Sequence, residues 1–135
     1  MADITSINPD ALGKAPALYS HATRVKGGDL LFIAGQIARD GAGNLVRQDD
    51  FEAQCGQVFA NIEAVLKSAG ASWKNVVQFT TFIVHSQDIP KFRDFRVREF
   101  PKMFPAGQCP PNTLVVVDRL AEEALLIEVQ TIAAL

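Results

Sequence analysis

Blocks of apolar and polar residues predict most of the elements. Leu18 to Lys26 and Leu30 to Ile37 are two apolar-rich runs joined by Gly27-Gly28-Asp29, the signature of a hairpin turn. A second turn, Asp40-Gly41-Ala42-Gly43-Asn44, leads into a short predicted strand at Leu45 to Arg47. From Phe51 the apolar positions fall at Cys55, Val58, Phe59, Ile62, Val65, Leu66 and Ala69. Spacings of three and four mark one face of a helix. Asp49 or Asp50 is placed to cap its start and Gly70 to end it.

Val76 to Val84, rich in β-branched and aromatic residues, predicts a strand. Asp88 is then placed to cap a second helix, with Pro90 in its first turn and Phe92, Phe95, Val97 and Phe100 as its bulky apolar residues. Pro101 should end or kink it. Thr113 to Leu120 and Ala124 to Ala133 predict two last strands around Ala121-Glu122-Glu123. The predicted order is β-β-β-α-β-α-β-β, an α+β domain with two helices on one face of a mostly antiparallel sheet, spanning residues 1–135. Phe79, Phe82, Ile83 and Val84, and Leu114 to Val117, are apolar with little alternation, as in strands covered on both faces. Two helices cover one face. The other is expected to be buried by self-association or, alternatively, by a loop folded over it.

Composition narrows the class. The chain has 135 residues, 48% hydrophobic and 21% charged, which fits a single globular domain and excludes wholesale disorder. Its net charge of -2 gives no basic footprint for nucleic acid. No apolar run approaches the ~18 residues of a membrane helix. The N-terminal residues lack the basic start and apolar stretch of a signal peptide, so a cytoplasmic protein is expected. Cys55 and Cys109 make neither a disulfide framework nor a zinc site by themselves. Gly41-Ala42-Gly43 lacks the third glycine of a dinucleotide fingerprint and the ending of a P-loop. His21 and His85 show no local metal spacing, and each has a structural reading at a strand end.

Glu128 stands out. It interrupts Leu125-Leu126-Ile127-Glu128-Val129, and strand alternation puts Leu126, Glu128, Gln130 and Ile132 on one face. A carboxylate among apolar neighbours in a buried strand has its pKa raised by desolvation, which suits a general acid or base. A solvated edge strand with Glu128 pointing at water is the plain alternative.

Tyr19-Ser20-His21-Ala22, Leu31-Phe32-Ile33-Ala34-Gly35-Gln36-Ile37 and the stretch from Pro111-Asn112-Thr113 to Ile127-Glu128-Val129 follow one another at a spacing that resembles the RidA family, also called YjgF-type or reactive intermediate deaminases. The resemblance covers about residues 16–133. It implies a chorismate-mutase-like fold and a homotrimer with a central β-barrel and ligand clefts between subunits. The implied activity is cofactor-independent hydrolysis of small enamines and imines to a 2-keto acid and ammonia. An Arg grips the substrate carboxylate, and a Glu near the C-terminus positions or activates water.

By the same resemblance Glu128 takes the acidic position, Gly35 the cleft glycine, and His21 the place of a cleft aromatic. Ala34 stands where a serine is often found, Leu114 where a cysteine is often found, and Asn112 where the gripping Arg is expected. A hydrogen bond to a charged group is worth on the order of 1.5–3 kcal/mol against about 1 for a neutral one. Losing both the charge and the two-pronged geometry of guanidinium should weaken binding of a 2-imino acid roughly tenfold or more. Arg96 and Arg98 are candidate replacements, with a solvated helix face as their alternative. The expected function is a deaminase-like hydrolase of altered substrate choice acting on a small-molecule ligand. A metabolite-binding protein without chemistry is the second reading, and RNA cleavage or inhibition of translation, as some relatives were described, the third. No metal, cofactor, membrane or nucleic-acid partner is expected.

Overall fold

The structure, a computed structural model, describes residues 1–14 and 16–135. Its first helix, α1 (Phe51–Ser68), starts where the carboxylate of Asp50 accepts a hydrogen bond from the Ala53 N–H at 3.0 Å. Gly70, at φ 72°, terminates it in the left-handed conformation that glycine takes most cheaply. The predicted apolar face is the buried one: Phe51, Cys55, Val58, Phe59, Ile62 and Leu66 all turn inward.

The second helix, α2 (Ile89–Met103), differs in three ways from expectation. Asp88 does not cap it with its side chain; the buried carboxylate pairs with Lys91 at 3.1 Å instead. Pro101 does not end it, because the last turn continues to Met103. Val97 is exposed, so Phe92, Phe95 and Phe100 form the inner face. Phe59 lies among Phe79, Phe92, Phe95 and Phe100 with ring centroids 5.3–6.4 Å apart, the packing that joins both helices to the sheet.

The strands are β1 (Asp3–Ile7), β2 (Ala22–Lys26), β3 (Leu30–Gln36), β4 (Val76–Ile83), β5 (Asn112–Val116) and β6 (Ile127–Ala134). The main sheet has the order β3-β6-β4-β5. β6 is antiparallel to both neighbours, whereas β5 runs parallel to β4, so the sheet is mixed. The parallel pair follows from α2 crossing between them, since a crossover helix returns the chain in the same direction.

The predicted hairpin between β2 and β3 does not form. β2 pairs with β1 in a separate two-stranded ribbon, and β3 pairs with β6. Gly27 and Gly28 do adopt positive φ, 70° and 76°, but the turn hands the chain from the ribbon to the main sheet. Its backbone is claimed elsewhere: Asp29 exchanges N–H to carbonyl bonds with Leu135 at 3.1 and 2.9 Å. A Cβ on Gly28 would overlap the Leu135 carbonyl and come within 2.8 Å of Ala2. The predicted strand at Leu45 to Arg47 reduces to one bridge, Arg39 to Leu45, closed by a turn in which Asp40 Oδ1 accepts from the Ala42 and Asn44 N–H groups. The order β-β-β-α-β-α-β-β recurs because β1, which the sequence pattern does not predict, takes the place of the strand expected at Leu45 to Arg47.

Both helices lie on one face of the main sheet, against Phe79, Ile83, Ile127 and Val129. The opposite face has no helix and leaves Phe32 70% exposed and Leu30 55%. Among the described residues no helix is long and apolar enough to cross a membrane.

Gln54 of α1 is fully buried and ties the loop before β6 to the loop before α1. Its Nε2 donates to the carbonyls of Ala124 (2.9 Å), Arg47 (3.3 Å) and Gln48 (3.4 Å), and its Oε1 accepts from the Leu126 N–H at 2.8 Å. Gln54→Leu keeps the volume and strands the Leu126 N–H and the Ala124 carbonyl. The expected loss is about 1–3 kcal/mol, because a buried polar group left without its partner forfeits its hydration as well. Urea unfolding followed by circular dichroism measures it, and an unchanged midpoint would show that water replaces the amide.

Candidate active site

β3 carries an irregularity between Ile33 and Gln36, where one residue more on β3 faces β6. Such a bulge turns two successive residues to the same side of the sheet. Here it brings Gly35 against the side chain of Glu128. A Cβ on Gly35 would overlap the Glu128 carboxylate and lie 2.8 Å from its Cδ and 2.9 Å from its Cγ. Only a glycine admits the carboxyl at that place. Glu128 itself sits on β6 opposite Phe82 of β4, on the face without helices. It is half-buried, and burial pushes its pKa above the ordinary carboxylate value.

Glu128, Gly35, Phe82, Gln130, Arg119 and Leu120 line an open recess of about 480 Å³. The loop after β5 supplies Arg119. Its Nε donates to the Leu120 carbonyl at 3.0 Å and an Nη to the Ala121 carbonyl at 3.1 Å, which sets the plane of the guanidinium. Phe82 was visible in sequence as part of an apolar strand, and its pairing with Glu128 follows once the register is known. Arg119 had no sequence signal beyond being a cation in a loop. β5 runs parallel to β4 toward Ile83, which faces Ile127, so the loop after β5 ends beside Glu128.

The remaining candidates lie apart from this recess. Asn112 opens β5 opposite Phe79, and its Oδ1 accepts a hydrogen bond of 2.8 Å from the hydroxyl of buried Thr81. That places it on the helix side of the sheet, with Leu114 two residues further along the same side. In register Asn112 is three residues and two strand spacings from Glu128, about 10 Å along each direction. No three- or four-carbon acid bridges that span within one chain.

His21 precedes β2; its N–H donates to Asn8 Oδ1 at 2.8 Å and its ring meets Tyr19 edge-on, 5.8 Å between centroids. Neighbouring Ser20 donates to the Cys109 carbonyl at 2.7 Å, which ties this loop to the segment leading into Asn112. Ala34 is exposed beside Gly35.

Arg96 stacks on Phe92, with its guanidinium carbon 4.3 Å from the ring centroid, and its buried Nε has no hydrogen-bond partner. Burial and then Arg93 lower its pKa. Arg98 pairs with Glu52 at 3.4 Å across the helix surface. Burial raises the pKa values of both cysteines, which keeps them as thiols. Among the described residues no cluster of three or more His, Cys, Asp or Glu is placed to hold a metal.

The model of the family described as Endoribonuclease L-PSP matches residues 10–135. A protein of the conserved Rid family from Yersinia pestis, YyfB, superimposes with a TM-score of 0.85 and 34% identity, covering 98% of each chain. The chain belongs to the RidA family. RutC family protein PH0854 of Pyrococcus horikoshii is 35% identical over 115 residues, 85% of each chain. The 2-iminobutanoate/2-iminopropanoate deaminase of Dermatophagoides farinae is 27% identical over 122 residues, 86% of this chain and 91% of that one. The RidA-type α+β fold, with its two helices and mixed sheet, is thus common to this chain and the Yersinia protein.

Proposed function

We propose that this RidA-family protein hydrolyses the C=N bond of a small imine or enamine, with Glu128 as the proton-transferring group. The observation that carries the reading is the Glu128 carboxyl lodged against Gly35 in a recess that desolvates it. The imine enters protonated on nitrogen. The Glu128 carboxylate takes a proton from water as the water oxygen bonds to the imine carbon, which leaves a neutral carbinolamine. Glu128 then gives that proton to the carbinolamine nitrogen and takes the hydroxyl proton as the C–N bond breaks, so that a carbonyl forms, ammonia departs, and the proton left on Glu128 passes to the ammonia.

The separation of Asn112 from Glu128 within one chain supports a cleft between subunits of a homotrimer, where Asn112 of one copy faces the recess of another. The exposed Phe32 and Leu30 on the face without helices favour the same assembly. Asn112 in place of a gripping Arg is the basis for an altered substrate choice. RNA cleavage, suggested by the family model's description, lacks support from the charge: a net -2 supplies no field for a phosphate backbone.

The test generates a 2-imino acid in place with an amino-acid oxidase and times ammonia release with and without the protein. Acceleration proportional to protein concentration is expected. No acceleration by folded, trimeric protein overturns the reading in favour of ligand binding without turnover.

A further inference from the structure

We propose that Arg119 holds the anionic end of the substrate in the recess that contains Glu128. This rests on the recess being the substrate site, and it supplies the positive charge that Asn112 lacks. Three observations lead there. Arg119 lines the same recess as Glu128 and Gly35, whereas Arg96 stacks on Phe92 on the helix side of the sheet and Arg98 pairs with Glu52. The Leu120 and Ala121 carbonyls each take one donor and fix the guanidinium plane, so the fork is oriented before a ligand arrives. Finally, its ion pair among the described residues runs to Glu123 at 3.5 Å with side chains 57% and 84% exposed. An exposed pair at that distance contributes little, so an incoming carboxylate displaces Glu123 at small cost.

A guanidinium has five N–H donors, and the two loop carbonyls take one each. The donors left over suffice for a carboxylate, with charge-assisted bonds that an amide does not make. The substrate class that follows is a compact monoanion. Its carboxylate sits on Arg119, and its unsaturated carbon lies within reach of a water held by Glu128.

Binding, measured without turnover, decides it. The probes are 2-oxobutanoate and its neutral amide, titrated calorimetrically into the protein and into Arg119→Gln and Glu123→Gln. Arg119→Gln is expected to weaken the acid tenfold or more and to leave the amide unchanged. Glu123→Gln is expected to tighten the acid two- to threefold by freeing the guanidinium. Arg119→Lys, which keeps the charge and loses the fork, should fall between, and it serves if the Gln variant does not fold.

Equal binding of the acid by the parent and Arg119→Gln overturns the proposal, as does equal loss of acid and amide, which would mark a structural role. Failure of the parent to bind either probe overturns it too. Turnover retained in a Glu128 variant would instead count against hydrolysis by Glu128 and leave the Arg119 assignment standing.

Discussion

Glu128→Gln is expected to slow hydrolysis of a 2-imino acid by about a hundredfold to ten-thousandfold, the range that a positioned proton-transfer group supplies. Gln keeps the shape and loses the proton chemistry, so assembly and ligand contact should persist. Steady-state ammonia release measures the effect, and parent-like turnover would remove Glu128 from the mechanism. The pH profile adds a second check. Burial raises the Glu128 pKa, so a rate that needs the carboxylate falls, as pH is lowered, at a higher pH than an ordinary carboxyl would set.

Stability moves the other way. A carboxyl whose pKa is raised on folding holds its proton more tightly in the native state. Its favourable contribution is therefore full below the unfolded value and is lost as pH rises through the folded one. Above that value the ionised side chain is desolvated with no compensating partner among the described residues, a cost Gln does not carry. Thermal unfolding of the Gln variant should lie at or above the parent's at pH 8 and converge with it at acid pH. A Tm well below the parent's at pH 8 would mean that the carboxylate is held by favourable contacts instead.

Gly35→Ala is the second large effect. The new methyl would occupy the space of the Glu128 carboxyl, with contacts of 2.8 and 2.9 Å to Cδ and Cγ that real side chains do not make. Gly35 is not in the left-handed region, so overlap alone decides the outcome. The flexible end of Glu128 can swing away, so folding should change little. Displacement of a catalytic group by about 1 Å costs on the order of a hundredfold in rate. A hundredfold fall in kcat with a parent-like Tm is therefore expected. Unchanged kcat would show that the reaction tolerates Glu128 elsewhere, and a collapsed Tm would show that the bulge cannot relax.

How far the sequence discloses this site depends on whether the signal is local. Helix α1 was legible because its cap and its apolar spacing are both properties of consecutive residues. Glu128 was legible because an acid among Leu126, Ile127 and Val129 breaks a local rule. The partnership of β2 with β1 was not, because Gly27-Gly28 gives the same turn signature whether or not the strands it joins pair with each other. What settled the pairing was Leu135, more than a hundred residues away, taking the backbone bonds of Asp29. The parallel run of β5 beside β4 depends on how α2 crosses, and periodicity carries no strand direction. Arg119 was hidden for that same reason: its nearness to Glu128 exists only once β5 has a direction and a neighbour. The Gly35 contact was half legible, as a glycine inside an apolar strand marks close approach without naming what approaches.

The ribbon of β1 and β2 has one further consequence. Neither strand contains a fully buried residue, and the hydrogen bond from the Thr23 hydroxyl to the Val77 carbonyl is its side-chain tie to β4. Two strands alone are marginally stable in water. The native state is therefore expected to be graded. Hydrogen exchange should find the ribbon amides exchanging with solvent long before those of β6, which is held on both edges by β3 and β4. On that expectation His21, at the foot of the ribbon, belongs to the part of the molecule that opens first, and Glu128 to the part that opens last.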